Sequence, residues 1–299
     1  MQKPRGTTLK IETEAIETEY WMPGDNYLEK IASVTNGKVS DGDIIVISEK
    51  AIAVAQKLII DEEKVKPGLF AYLLAFFWMR IIWGYFLGKI CRLRERNIER
   101  LRNYPLREGA AHKEVALRYA GLLSALMWGS EGGIDGSNLP YAYVSLPLLD
   151  PQDTARVIHE YLKNKIGKKI VVIIADTDKT YSFRNFHFTH RPKPMRGIHR
   201  FFGFIAYVIG RSLNLKRRST PLAVAGAKIN VNLALDIVEA ANKARGSGAG
   251  PTVWDMAEKF NAGLTNVTWD MLKRLRHKPI VIVRLSTQIP YGENDIIYG

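Results

Sequence analysis

A nearly unbroken run of apolar, mostly β-branched residues, KIVVIIA at 169–175, constrains the fold more than any other feature of the sequence. A strand covered on both faces has this pattern, whereas a strand with one wet face alternates apolar and polar residues. Two further apolar runs, DIIVIS at 43–48 and PIVIVRL at 279–285, also have strand composition. Helix-compatible residues follow at 51–60, and an amphipathic stretch lies at 154–166. These patterns predict buried strands that alternate with helices.

Composition places the chain among globular proteins and indicates anionic partners. Of 299 residues, 46% are hydrophobic and 24% are charged, which excludes fibrous and disordered classes. A net charge of +13 favours phosphates, nucleic acid or an acidic membrane face. The single cysteine, Cys91, excludes an internal disulfide framework and a Cys-rich zinc site. Residues 1–10 lack the apolar stretch of a signal peptide, so we expect a cytoplasmic protein.

The segment Leu69–Ile90 is long and apolar enough to cross a bilayer, with Arg80 and Lys89 as its only charges. Arg80 opposes a span, because a charge near the midpoint costs about 2.5–3.5 kcal/mol. Gly84 and Gly88 favour two shorter packed helices, and a strongly basic stretch follows at 92–107. A core helix pair, a membrane-surface or partner-binding element, and a true span all stay open. We interpret 68–110 as a helical insertion within a single unit of 299 residues.

Two acidic turns are candidates for binding a metal. The sequence EGGIDGSNLP at 131–140 presents Asp135 in a Gly-rich turn, and Asp176-Thr177 follows the most apolar run. Ligands of α/β proteins gather at the carboxyl ends of strands. Carboxylate and hydroxyl oxygens suit a hard divalent cation with bound phosphates. Taken alone, an Asp-Thr after a strand is also explained as a helix N-cap, and Asp-Gly-Ser-Asn as a plain turn.

Residues 179–235 contain no Asp or Glu but eleven Lys or Arg, so this acid-free stretch is the best candidate for binding a multiply charged anion. Its aromatic residues suit stacking on a ring or on unpaired bases. We interpret His187, His190 and His199 as phosphate or surface contacts, because they lack the spacing of a zinc site. A basic surface loop with a core helix at 201–209 is the alternative interpretation.

Two weaker signals concern phosphate binding. The loop GSGAG at 246–250 is able to present backbone N–H groups to a phosphate, although a linker explains it equally well. Lys50 follows a predicted strand and is placed to reach a phosphate, although a solvated lysine is the default. No nucleophile elbow occurs, and Cys91 has no identifiable base, so nucleophilic catalysis by the protein is improbable.

The order of these motifs resembles the γ-glutamyl ligase family of the deazaflavin coenzyme F-420. The motifs are Ser48-Glu49-Lys50 after a strand, GGIDGSN at 132–138 followed by LPLLDPQDTA at 146–155, VVIIADT at 171–177 and TPLAVAG at 220–226. The resemblance covers about 11–284. It implies a mixed α+β fold, with mixed sheets flanked by helices, and an intertwined homodimer. It also implies addition of L-glutamate to the phosphorylated coenzyme precursor with GTP and two divalent ions, Mn or Mg, with K as a further candidate.

The resemblance assigns roles by position. It places the metals on Asp135, Asp176 and Thr177, and the nucleotide against Asn138 and Ser48, Glu49 and Lys50. From the glycine-rich loop we add Gly246 and Gly248 to the nucleotide site. We expect Asp176 and Arg184 to act in catalysis. Amide formation in this way proceeds through an acyl phosphate and needs electrostatic stabilisation more than a protein nucleophile.

The sequence also departs from the family pattern. Residues 178–196 read DKTYSFRNFHFTHRPKPMR where the family has a Gly-Arg-Pro segment, and Val54 stands at the place of a family lysine. The fold and the metal site therefore carry over better than the substrate does. The alternative function is a non-catalytic or different-substrate paralogue that binds nucleic acid or an anionic membrane through its basic face, with membrane association through 69–90.

Overall fold

A mixed sheet of seven strands forms the centre of the computed structural model, which describes residues 8–288. Its strand order is β1-β9-β2-β5-β6-β7, with β8 also paired to β5, and β3 pairs with β4 in a separate small sheet. The strands are β1 (Thr8–Thr18), β2 (Ile44–Ser48), β3 (Ile59–Asp61), β4 (Tyr143–Ser145), β5 (Val171–Phe183), β6 (Phe186–Thr189), β7 (His199–Arg200), β8 (Lys216–Ala225) and β9 (His277–Gln288).

Helices flank this sheet, so the predicted mixed α+β class is confirmed. They are α1 (Tyr27–Thr35), α2 (Glu49–Ala55), α3 (Leu69–Ile90), α4 (Glu95–Arg102), α5 (Leu106–Ala120), α6 (Leu122–Ala125), α7 (Pro151–Ile166), α8 (Phe204–Ser212), α9 (Val231–Arg245), α10 (Val253–Lys259) and α11 (Trp269–Lys273). α7 begins where the Asp150 carboxylate accepts a hydrogen bond from the Asp153 N–H at 2.8 Å. This N-cap starts the helix at Pro151, three residues before the predicted stretch.

The central strands are buried on both faces, as the sequence predicts. β2 and β5 are parallel, with Ile45 opposite Val172. Ile45 and Ile47 pack into a core with α1, α2 and α7, whereas Ile44 and Val46 pack into a second core with α9. Because successive side chains of a strand point to opposite faces, the unbroken apolar run supplies both cores at once.

Some element boundaries differ from the prediction. The helix predicted at 51–60 ends at Ala55, and Ile59 already belongs to β3. The strand predicted to end at Ala175 continues to Phe183, because β8 pairs with β5 well beyond that point. β1 is an edge strand paired antiparallel to β9. Its composition, TLKIETEAIET, is too charged for its apolar pattern to stand out, as is common at sheet edges.

The apolar segment forms one continuous helix, α3, not the two shorter helices that its glycines predict; it is α-helical at Leu69–Leu73 and Gly88–Ile90 and π-helical at Leu74–Leu87. Gly84 lies inside the helix and allows α4 to pack closely against it. A Cβ at this position would lie 3.3 Å from the backbone nitrogen of Arg102. Met79 and Trp83 on its inner side are fully buried in a core with Leu101. α3 is the one candidate membrane span among residues 8–288, with a mean hydropathy of 1.5, and only 33% of its apolar window is buried.

Candidate functional site

The candidate site lies at the carboxyl end of β2 and beside the middle of β5, where Asp176 and Thr177 follow the apolar run. These strands are parallel and Ser48 pairs with Ala175, so the residues that follow them emerge side by side. The pairing of β5 with β8 shifts from Asp176 opposite Thr220 to Lys179 opposite Ser219, which leaves Thr177 and Asp178 without partners on β8. Bulges of this kind redirect side chains next to active sites. The bulge turns Thr177 outward, where it is exposed.

Asp135 is held in its turn by several hydrogen bonds. Its carboxylate accepts from the Ser137 N–H at 2.7 Å and from the Ser137 hydroxyl at 2.9 Å. The Lys50 ammonium also donates to this carboxylate, and to the Ser137 carbonyl oxygen at 2.9 Å. Since Lys50 lies in the first turn of α2, this contact joins the end of β2 to the turn at 131–140.

Asn138 connects the same turn to the glycine-rich loop. Its side-chain oxygen accepts from the Ala249 N–H at 2.6 Å, and its amide nitrogen donates to the Gly250 carbonyl at 3.1 Å. A Cβ at Gly248 would lie 2.4 Å from the Asn138 side-chain oxygen, so only glycine allows this approach. The loop at 246–250 is therefore docked against the turn and is not a free linker.

Together these segments enclose a cavity of about 470 Å³. Of the residues predicted from the sequence, the lining contains Ser48, Lys50, Asp135, Asn138, Asp176, Thr177, Gly246 and Gly248. The structure thus brings the two acidic turns to one cavity, although they lie far apart in the sequence. The cavity is also cationic, because its lining adds Lys243, Arg245, Arg276 and Lys278, beside Lys179, which pairs with Glu239 at 2.9 Å. Such a lining suits a polyanion such as a triphosphate.

A buried charge network lies behind the cavity wall. Arg191 is fully buried, forms an ion pair with Glu49 and donates to the Gly132 carbonyl at 2.6 Å. Its Nε lies 2.6 Å from the Asp176 carboxylate. Burial by itself would raise the pKa of Asp176, but Arg191 and Lys50 outweigh it, so the pKa of Asp176 is lowered. Burial and the neighbouring Asp176 raise the pKa of Asp178. Asp176 is therefore ionised, and Asp178 is the carboxyl group that holds a proton more readily.

A second cavity of about 300 Å³ adjoins the first and shares Asp135, Thr177 and Lys179 with it. Its walls include several aromatic side chains, with Trp128, Tyr207 and Trp254 among them. Both cavities therefore open on the same acidic corner, with a cationic chamber on one side and an aromatic chamber on the other.

A comparison with known families tests the resemblance that the motifs indicate. Residues 15–218 match the family described as F420-0:Gamma-glutamyl ligase. The chain belongs to this family. The resemblance read from the motifs is thereby confirmed, and members of this ligase family are expected to ligate glutamate in coenzyme F-420 biosynthesis.

Two relatives extend the comparison. An uncharacterized protein of Methanocaldococcus jannaschii is 31% identical over 288 residues, which cover 91% of this chain and 96% of that protein. The Coenzyme F420:L-glutamate ligase of Methanopyrus kandleri is 28% identical over 173 residues, which cover 57% of this chain and 60% of that enzyme. The relative with the named activity therefore resembles only part of this family member.

The donor set at the acidic corner fits a divalent cation that arrives with a nucleotide. Asp135 and Asp176 supply carboxylates and Thr177 an exposed hydroxyl, all hard oxygen donors. Magnesium is commonly bound by one or two carboxylates together with substrate phosphates. Among residues 8–288 no cluster of three or more His, Cys, Asp or Glu is arranged to hold a metal by itself.

Two predicted site residues do not reach the cavity. Glu49 is only 4% exposed, pairs with Arg191 and accepts from the Leu148 N–H at 2.9 Å. Arg184 lies in the turn between β5 and β6, where its guanidinium stands 5.7 Å from the centre of the Phe183 ring. Glu49 directly follows β2, and Arg184 lies in the turn after β5, so both are close to the site in sequence. The backbone nevertheless places their side chains outside the cavity.

The acid-free stretch is less available for anions than its composition predicts. Acids from outside the stretch pair with its cations: Lys179 with Glu239 at 2.9 Å, and Arg218 with Asp236 at 2.8 Å. Of the two interpretations of the histidines, surface contact is wrong for His187 and His190, which are each 3% exposed, whereas phosphate contact stays a prediction. His187 bonds the Ser182 hydroxyl at 2.9 Å, and burial lowers its pKa. His199 is exposed, as predicted.

The resemblance places a late nucleotide-binding stretch between Ala240 and Lys278, but the sequence interpretation named none of the cations on the far wall of the cavity. Arg245 directly precedes the glycine-rich loop, and Arg276 and Lys278 lie at the start of β9. A basic residue immediately before a glycine-rich loop was the available signal. It carries little weight alone, because most basic residues in such a chain are solvated.

Proposed function

We propose that this family member is a GTP- and divalent-metal-dependent ligase that adds L-glutamate through an amide bond to a phosphorylated deazaflavin coenzyme precursor. It works as a cytoplasmic homodimer and forms an acyl phosphate intermediate. The observation that supports this proposal most directly is the cavity in which Asp135, Asp176 and Thr177 face a cationic, glycine-rich wall. The aromatic second cavity supports an acceptor with a ring system that lies beside the nucleotide.

The chemistry has two balanced steps. An oxygen of the acceptor carboxylate attacks the terminal phosphorus of GTP, and GDP leaves. The amine of glutamate then attacks the carbonyl carbon of the acyl phosphate, inorganic phosphate leaves, and the amine loses a proton to solvent. Asp135, Asp176 and Thr177 would hold the divalent ions, which would supply positive charge to offset that of the phosphates.

The protein's own residues orient the substrates and offset charge. Lys50 and the cations of the far wall, Arg245 and Lys278 among them, face the same cavity as the two carboxylates. They stabilise negative charge that develops on the transferred phosphoryl group. Asn138 fixes the glycine-rich loop by accepting from the Ala249 N–H, so the N–H groups of Ser247 and Gly248 would keep a fixed position beside the phosphates.

The test is GDP release in the presence of precursor, glutamate and Mn or Mg. We expect turnover by the wild type and a loss of about a hundredfold or more in Asp176→Asn, as is typical when a charge-stabilising group is removed. The matched control is Asp270→Asn, whose side chain is 80% exposed and lies on α11. Absence of turnover in the wild type, or equal turnover in wild type and Asp176→Asn, would refute the proposal.

A further inference from the structure

The outer face of α3 is apolar and exposed along the whole helix. Nine of its large apolar side chains are exposed, from Tyr72 at 39% to Leu69 at 77%, and Phe76, Phe77 and Phe86 are each more than half exposed. Exposed apolar patches larger than a few hundred Å² mark interaction sites in soluble proteins. We use the name outer face for these exposed side chains of Leu69–Ile90.

The inner side of the same helix is fixed to the protein body. Met79 and Trp83 are fully buried, and the Trp83 indole donates to the Leu126 carbonyl at 2.8 Å. Arg80 donates to the Tyr104 carbonyl at 2.8 Å. A helix that crosses a bilayer would have to leave this core. α3 is therefore able to contact a surface only along its length, with its axis parallel to that surface.

Cations surround the outer face without acids among them. Residues 64–94 hold six Lys or Arg and no Asp or Glu. Four of them are exposed and form no ion pair with any described residue, namely Lys66, Lys89, Arg92 and Arg94. The acids nearest the two helix ends are already compensated: Glu114 bonds Arg118 at 2.7 Å, and Glu95 lies 4.0 Å from Arg102.

We propose that the outer face of α3 docks on the surface of an anionic lipid membrane, with the helix in the plane of the headgroups. The apolar side chains enter the boundary between headgroups and acyl chains, and the surrounding cations meet lipid phosphates. Tyr72 and Tyr85 lie on this face, and tyrosine is favoured at membrane interfaces. A second copy of the chain fits less well, because a symmetric contact through this face would oppose the same unpaired cations.

Flotation of the full chain with vesicles tests the proposal. We expect binding to phosphatidylcholine vesicles that contain about 25 mol % phosphatidylglycerol, and weaker binding as this fraction falls or as salt rises. Phe76→Ser/Phe77→Ser should weaken binding by at least about tenfold, because each phenylalanine loses its burial in lipid. Lys89→Glu should weaken it by about fivefold or more on the anionic vesicles.

Matched controls use exposed residues that lie outside α3. Leu149→Ser changes a side chain that is 77% exposed, and Lys163→Glu one that is 59% exposed. Both should bind like the wild type. The thermal unfolding midpoint of Phe76→Ser/Phe77→Ser should match the wild type, since both rings are already about half exposed. Equal binding by all variants, equal binding to neutral vesicles, or a dimer that disappears in Phe76→Ser/Phe77→Ser without any vesicle binding would each overturn the proposal.

A fluorescent label gives a second readout that does not depend on affinity. Cys91 is the single cysteine and is buried, so Phe77→Cys adds one accessible thiol for an environment-sensitive dye. Emission from this dye should shift to the blue on anionic vesicles, whereas the same dye on Leu149→Cys should not shift. A shift at both positions, or at neither, would contradict docking through the outer face.

Discussion

The substitution Glu131→Gln tests the buried ion cluster that fixes the start of the Asp135 turn. Glu131 is 1% exposed, and its carboxylate lies 2.5 Å from the ammonium of Lys113, which is fully buried. Its other oxygen lies 2.9 Å from His112, whose second ring nitrogen is 2.7 Å from Glu62. Glutamine keeps the shape of the side chain but removes the charge, so Lys113 and His112 lose their shared partner.

The magnitude follows from the lowered pKa of Glu131. Burial would raise this pKa, but Lys113 and His112 outweigh it and bring it from the ordinary 4.5 to about 2. A shift of this size corresponds to roughly 3 kcal/mol of stability for the ionised form. The direct cost of breaking a buried ion pair, about 3–5 kcal/mol, is of the same order. We expect Glu131→Gln to lower the free energy of unfolding by about 3 kcal/mol near pH 6.

The pH dependence has a defined sign. Since the folded pKa of Glu131 is lowered, its contribution is complete above pH 4.5 and is lost as the pH falls through about 2. The pKa of His112 is raised well above 6.5, because Glu62 and Glu131 outweigh its burial. The contribution of His112 is complete below pH 6.5 and declines as the pH rises toward its folded pKa. The cluster therefore stabilises the fold most between about pH 4.5 and 6.5.

Urea unfolding followed by circular dichroism, in steps from pH 7 to pH 3, measures both effects. The wild type should lose stability below pH 4.5 with a component that is absent in Glu131→Gln. The matched control is Glu160→Gln on α7, whose side chain is 61% exposed and which should unfold like the wild type. Two results would contradict this reasoning. Glu131→Gln could lower the free energy of unfolding by less than about 1 kcal/mol, or it could keep the wild-type dependence of that free energy on pH below pH 4.5.

Two further substitutions probe the site. Lys50→Met should weaken GTP binding by roughly 10- to 100-fold in calorimetry, because a charged hydrogen-bond donor is lost from the cavity; Lys163→Met is the control, and equal affinities would exclude Lys50 from the nucleotide site. Gly133→Ala should destabilise the fold more than Gly37→Ala in thermal unfolding. Both glycines have positive φ, +96° and +75°, but only at Gly133 would a Cβ collide, 1.6 Å from Arg191, so equal losses would contradict this packing.

The sequence by itself determined the local elements and the order of the functional motifs. The apolar runs predicted β2, β5 and β9, because a strand buried on both faces needs apolar residues at every position. The glycines around Asp135 predicted a turn, because they permit the backbone conformations that a turn requires. These properties depend on neighbours within a few residues, so the sequence predicts them without knowledge of the fold.

The tertiary structure alone decided which charges meet. Asp135 and Asp176 face one cavity for two reasons. β2 and β5 are parallel in this register, and Lys50, just after the end of β2, binds the turn that carries Asp135. Arg191 and Arg218 are neutralised by acids outside the acid-free stretch, which composition cannot foresee. The apolar pattern of α3 is the same for a buried, docked or spanning helix, and only packing shows which side is covered. Contacts between distant segments depend on strand register and helix docking, and no local pattern encodes these.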